Sequence, residues 1–237
     1  MERSAEAPVY PCILLAAGSG SRMKGGSKLL LPLGDGNILV KAAKAALEYC
    51  NPLIVVTGKD SLLVEECLRR AGLERADKGH TSLTGGAATK RLVFVNNPRW
   101  TDGRIASIRA GIKALYSGAE GFFLSHADMP FIDPAVYRNL SEAVKARQSA
   151  GFPPSLVFPS MEGKKGHPVF FPSDFIPAIL ATRQAESLKT AVGCLRQVNV
   201  ETTCEGIFED IDSPQDYKRL CSKYGFTDGD FSAGKAL

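Results

Sequence analysis

The sequence predicts an α/β fold built around a mostly parallel sheet. Two observations carry that prediction. Short apolar runs without alternation, such as Cys12 to Ala17 and Leu53 to Thr57, read as strands buried on both faces. Segments with apolar residues at helical spacing lie between them, and a strand–helix–strand–helix order implies parallel strands joined by crossovers. A third observation says where such a fold would act. The first run stops at Gly18, a Gly/Ser turn flanked by Arg22 and Lys28 follows, and Leu29 to Leu33 restores apolar character. Backbone N–H groups exposed after a buried strand, with cations beside them, suit phosphate. The loop is read as a cradle for a nucleotide's triphosphate.

Taken in order, Cys12 to Ala17 is the first strand, and the helix after the loop runs over Ile38 to Cys50, with Leu39, Ala43, Ala46, Leu47 and Cys50 at helical spacing. Asn51-Pro52 is expected to end it, because proline disfavours helical geometry in the preceding residue. Leu53 to Thr57 is the second strand, followed by a helix capped by Asp60 or Ser61 and running to about Ala71. The polar Arg75 to Arg91 segment reads as a loop. Leu92 to Val95 is the third strand, Ile105 to Tyr116 a helix, and Gly121 to Ser125 the fourth strand. Asp133-Pro134 starts a helix that reaches about Ser149, with Asp as cap and Pro at the first helical position. Leu156 to Phe158, Val169 to Phe171, Val198 to Val200 and Ile207 to Phe208 read as short strands, with short helices over Ser173 to Gly193 and a last helix over Pro214 to Tyr224. One domain over residues 1–224 with a frayed tail over 225–237 is the simplest organisation.

Composition narrows the partners. A net charge of +4 without a dense Lys/Arg run does not indicate nucleic acid. No apolar run approaches a membrane span, and MERSAEAPVYP lacks a signal-peptide core. The six cysteines are scattered without a CxxC pair, which reads as reduced thiols in a cytoplasmic protein.

Two phosphate motifs fail against the loop. The dinucleotide pattern GxGxxG matches Gly18 and Gly20 but meets Met23, and the P-loop spacing of Gly20 and Gly25 has Gly26 where lysine is required. Hydride transfer and ATP hydrolysis are therefore not the leading chemistries. Asp128 follows the fourth strand, so it shares the carboxyl edge of the sheet with the loop. A carboxylate beside a triphosphate repels it unless a divalent cation intervenes, and Mg²⁺ binds through one or two carboxylates plus substrate phosphates. In Glu209-Asp210-Ile211-Asp212, alternation turns Asp210 and Asp212 the same way if the chain is extended. His167, in a Gly-His-Pro corner, either touches an acceptor phosphate or satisfies a turn, and His126 lies near the same edge. No zinc spacing and no GxSxG elbow is present.

LAAGSGSRM, Lys28 with LLLPL, then DMP, GHPV and DIDSPQDY occur in one order from Ile13 to about Leu220. On these motifs the chain resembles the MobA-like nucleotidyltransferase family, nearest the cytidylyl branch that acts on the molybdenum cofactor. The resemblance implies a Rossmann-like three-layer α/β/α fold of the nucleotide-diphospho-sugar transferase type. It also implies transfer of a nucleotidyl group, CMP from CTP, to a phosphorylated acceptor of molybdopterin type, with release of pyrophosphate. Leu15, Ala16, Ala17 and Gly18 would line base and ribose, and Ser19, Gly20, Ser21 and Arg22 would wrap the phosphates. Lys28 matches the family's phosphate-binding lysine, Asp128 and Asp212 its Mg²⁺ ligands, and Gly103 and Ser107 its nucleotide-contacting Gly-xxx-Ser element. A molybdoenzyme or its maturation chaperone would be the protein partner. The stretch Leu180 to Lys189 departs from the branch, lacking its Gly-Asp-x-Gly-Ala-Arg, and His126-Ala127 stands where a glycine commonly precedes the aspartate. A sugar- or polyol-phosphate nucleotidyltransferase, or a nucleotide-binding accessory protein of the same fold, are the alternatives.

Overall fold

The computed structural model describes residues 9–18, 27–73, 91–182, 188, 193 and 195–226. The opening apolar run forms β1 (Tyr10–Ala16), with Cys12, Ile13 and Leu14 fully buried, as a strand covered on both faces requires. A single helical turn over Lys28–Leu30 and the ribbon β2 (Pro32–Leu33) with β3 (Gly36–Asn37) lead into α1 (Ile38–Tyr49). Asn37 caps that helix, its side chain accepting from the Val40 N–H. β4 (Cys50–Thr57) follows at once, so the helix ends at Tyr49 and Pro52 lies inside the strand instead of marking the stop. The remaining elements are α2 (Ser61–Arg70), β5 (Leu92–Asn96), α3 (Arg104–Ile112), β6 (Gly121–His126), α4 (Pro134–Ser149), β7 (Leu156–Met161), β8 (Lys164–Lys165), β9 (Val169–Pro172), α5 (Ile176–Ala181), β10 (Gln197–Glu201) and α6 (Pro214–Lys223).

The sheet runs β10-β7-β9-β6-β1-β4-β5, with β8 paired to β7. β6, β1, β4 and β5 are mutually parallel, as are β7 and β10, while β9 runs against its neighbours β6 and β7, and the short β8 runs against β7. One face packs Leu14, Val55 and Phe123 against Leu39 and Ala43 of α1, Leu140 of α4 and Leu220 of α6. The other packs Ile13, Ile54 and Phe122 against Ile108 of α3 and Ile179 of α5. These are the three layers expected. Among the described residues no helix is long and apolar enough to cross a membrane.

Several expectations need correction. Ile207 and Phe208 belong to a 3-10 turn over Glu205–Phe208, not to a strand. Gly206 explains it, because a Cβ there would lie 1.9 Å from the Phe131 carbonyl oxygen and the chain must bend against that backbone. The helix expected to reach Tyr116 stops at Ile112 and continues as turns to Gly118. Residues 75–90 of the expected loop, most of the segment 183–194 and residues 227–237 of the tail lie outside the described residues. Gly225 and Phe226 still pack: the Phe226 N–H donates to the Cys221 carbonyl at 2.9 Å, and Lys41 lies over its ring.

Candidate active site at the carboxyl edge of the sheet

The carboxyl ends of β1, β4, β5 and β6 share one edge, the edge where parallel sheets hold ligands. Leu15 and Ala16 close β1, Ala17 is buried, and Gly18 stands exposed just beyond. Ser19, Gly20, Ser21 and Arg22 lie outside the described residues. On the β4 side Gly58 lets the Trp100 ring settle against the chain: a Cβ would lie 2.8 Å from the ring and 3.0 Å from the Ala17 carbonyl oxygen. Gly103 caps α3, and Ser107, one turn further, is buried. Its Oγ accepts from Asn97 Nδ2 at 3.0 Å, and Asn97 Oδ1 in turn accepts from the Arg99 N–H at 3.0 Å. Gly103 and Ser107 therefore sit beside the end of β5, the strand separated from β1 by β4.

Lys28 and the two predicted acids meet. The Lys28 ammonium donates to Asp128 Oδ2 at 2.7 Å and to Asp212 Oδ1 at 2.6 Å. Burial works against its charge, but the two carboxylates outweigh burial and hold its pKa above the ordinary lysine value. Backbone joins the two acidic segments as well, because the Ile211 N–H donates to the Asp128 carbonyl at 2.9 Å. The predicted alternation survives although residues 209–212 form no strand. Ile211 is fully buried in the core and Glu209 accepts from Lys223 at 2.6 Å and from the Tyr224 hydroxyl at 2.5 Å, while Asp210 and Asp212 turn to the edge. Burial first, then the charges of Asp212 and Asp128, raise the Asp210 carboxyl above the usual carboxylate range.

Among the described residues no group of three or more His, Cys, Asp or Glu forms a cation cage. Asp128 and Asp212 nonetheless share one cation, the Lys28 ammonium, and both stay partly open, at 22% and 42% side-chain exposure. Two carboxylates aimed at one positive centre with an open side fit a divalent ion that takes its other ligands from phosphates and water.

His126, at the end of β6, and His167 meet edge to face with ring centroids 4.5 Å apart. Burial first, then neighbouring positive charge that includes Arg104 at the first position of α3, hold both imidazoles below the ordinary histidine value. The sequence reading passed over Arg104. Its one signal was its place between Gly103 and Ser107.

The family model described as "MobA-like NTP transferase domain" matches residues 12–200. Molybdenum cofactor cytidylyltransferase of Escherichia coli (strain K12) is 26% identical over 213 residues, covering 90% of this chain and 96% of that protein. A nucleotidyl transferase from Methanothermobacter superposes with a TM-score of 0.69 at 20% identity, covering 91% of this chain and 97% of that one. Rv0371c of Mycobacterium tuberculosis H37Rv, solved in complex with manganese, superposes with a TM-score of 0.63 at 19% identity, covering 91% and 99%. Fold and family match together define a nucleotidyltransferase. The chain belongs to the MobA-like NTP transferase family.

Proposed function

We propose that the protein transfers CMP from CTP to a phosphorylated acceptor of molybdopterin type and releases pyrophosphate. The observation that carries this reading is the convergence of Lys28, Asp128 and Asp212 on the sheet edge beside Gly18. The name of the E. coli relative supports the choice of nucleotide and acceptor. An acceptor phosphate oxygen attacks the α-phosphorus in line, a new P–O bond forms, and the bond to the β-phosphate oxygen breaks. An ionised phosphate is already nucleophilic at neutral pH, so no general base is needed. Leu15, Ala16, Ala17 and Gly18 line base and ribose, with Gly103 and Ser107 on the opposite wall. Ser19, Gly20, Ser21, Arg22 and Lys28 hold the phosphates, and His167 faces the acceptor. Asp128 and Asp212 are the residues that would hold Mg²⁺, whose chemistry there is to neutralise charge on the α- and β-phosphates. A cytoplasmic setting and a molybdoenzyme or maturation chaperone as receiver of the product belong to the same reading.

The departure at residues 180–189 favours keeping a second acceptor class, sugar or polyol phosphates, in view. Pyrophosphate release is to be measured with each NTP against molybdopterin and a panel of phosphorylated acceptors, across a Mg²⁺ titration. CTP with molybdopterin gives the fastest release, and Asp128→Asn abolishes the Mg²⁺-dependent part. Nucleotide binding without turnover on any acceptor would instead make the chain an accessory protein. Turnover only on sugar or polyol phosphates would replace the acceptor.

A further inference from the structure

We infer that Asn97 is a positioning residue that fixes the Ser107 hydroxyl as a donor and so sets which edge of a base the site accepts. The inference rests on the nucleotidyl-transfer reading, in which Ser107 belongs to the nucleotide wall, and adds to it a source of base selectivity. Asn97 is held through both of its backbone polar groups. Its N–H donates to the Thr57 carbonyl at the end of β4 at 2.9 Å, and its carbonyl accepts from the Trp100 N–H at 3.2 Å. The residue is 5% exposed, so its side-chain amide must find partners within the protein. One neighbour decides which way that amide points. The Arg99 N–H, 3.0 Å away, can only donate, so the atom facing it must be the carbonyl oxygen Oδ1. Nδ2 is thereby turned to Ser107 Oγ, 3.0 Å away.

An amide nitrogen donates and does not accept, so Ser107 Oγ is the acceptor in that contact and keeps its own hydrogen for another partner. A serine inside a helix can return that hydrogen to the carbonyl four residues back. Here the Gly103 carbonyl accepts from the Ala106 N–H at 3.2 Å, and no described residue accepts from the Ser107 hydroxyl. Ser107 is 4% exposed, and a buried hydroxyl with an unused hydrogen costs free energy until an acceptor arrives. An unconstrained hydroxyl serves either polarity by rotating. Asn97 removes that choice. A hydroxyl that can only donate needs an acceptor edge, which cytosine supplies at N3 and O2, whereas the matching edge of guanine presents the hydrogens of N1 and N2. Asn97 therefore favours CTP over GTP without touching either.

The test uses the full chain with Mg²⁺ and α,β-methylene analogues of CTP and GTP, with affinities read by calorimetry in a double-mutant cycle. Ser107→Ala weakens the CTP analogue by about tenfold, the loss expected for one hydrogen bond in a buried site. Asn97→Asp keeps an acceptor for the Arg99 N–H but sets a carboxylate oxygen against Ser107, so the hydroxyl turns to it and away from the base. The preference for the CTP analogue over the GTP analogue then falls by about fivefold or more. In the Ser107→Ala background the further loss caused by Asn97→Asp is smaller by about fivefold or more. The added charge and any damage to the loop act in both backgrounds, so only action through Ser107 makes the losses non-additive. Asn97→Ala, read in the same cycle, guards against a variant that does not fold, and its loss also shrinks when Ser107 is absent. Additive losses overturn the inference, and so does an unchanged ratio of CTP to GTP analogue affinity in Asn97→Asp. Affinities indifferent to Ser107→Ala overturn it together with the nucleotide wall it rests on. Coupling without pyrophosphate release on any acceptor upholds the inference and removes the transferase reading.

Discussion

At the scale of single residues, the site turns on a lysine with two acidic neighbours. Lys28 is 9% exposed and bonded to both Asp128 and Asp212, so truncation removes a charge and leaves two carboxylates facing each other. Lys28→Ala is expected to lower turnover by about a hundredfold, the cost of losing one preorganised charge donor. Steady-state pyrophosphate release measures it, and turnover equal to wild type would remove Lys28 from the phosphate machinery. Asp128 and Asp212 were legible because each carries a local signal: Asp128 comes just after the buried strand that opens Gly-Phe-Phe-Leu, and Asp212 alternates with the buried Ile211. The meeting of His126 with His167 was not, because only the antiparallel insertion of β9 beside β6 brings the two rings together.

At the scale of elements, the segment carrying the acids is held by packing from behind. The turn Glu205–Phe208 presses Gly206 onto the Phe131 backbone, and Glu209 is anchored by Lys223 and Tyr224 of the last helix and its cap. Gly206→Ala has no flexible side chain to displace, only backbone. It is expected to cost about 3 kcal/mol, at the upper end of overpacking effects. Urea unfolding reads the stability loss, and the Mg²⁺ concentration for half-maximal activity should rise with it, because Asp210 and Asp212 follow directly in the chain. An unshifted urea midpoint would show that the turn can move. This element also shows why part of the fold escaped sequence reasoning. Ile207-Phe208 has the apolar character of a strand, but its conformation is set by the contact of the preceding Gly206 with Phe131, 75 residues earlier (206 − 131) in the chain, which periodicity does not register. The direction of β9 escaped for a related reason: a short apolar run records burial, not polarity.

At the scale of the whole molecule, one sheet gathers residues from both ends of the chain, so occupancy of its edge should stabilise the entire fold. CTP with Mg²⁺ at about a hundred times its Kd is expected to add about 2.7 kcal/mol by mass action. For a chain of this size that is a rise in Tm of roughly 5–10 °C. Scanning calorimetry with each NTP in turn measures it, and an equal rise for all of them would remove the preference for CTP. The strand–helix order and the three layers were legible across most of the described chain, since non-alternating runs such as Cys12 to Ala17 leave few ways to cover both faces.

Trp100 is the only tryptophan in the sequence, and it rests against Gly58 close to the Ala17 carbonyl. The protein thus carries a single indole fluorophore, positioned where the chain leaving β1 meets the end of β4. Its emission is an optical gauge of that corner, undiluted by signal from any other indole. Filling or emptying the corner can be followed in real time on the unlabelled protein, by a change in intensity or wavelength that originates within a few ångströms of the chain that changes.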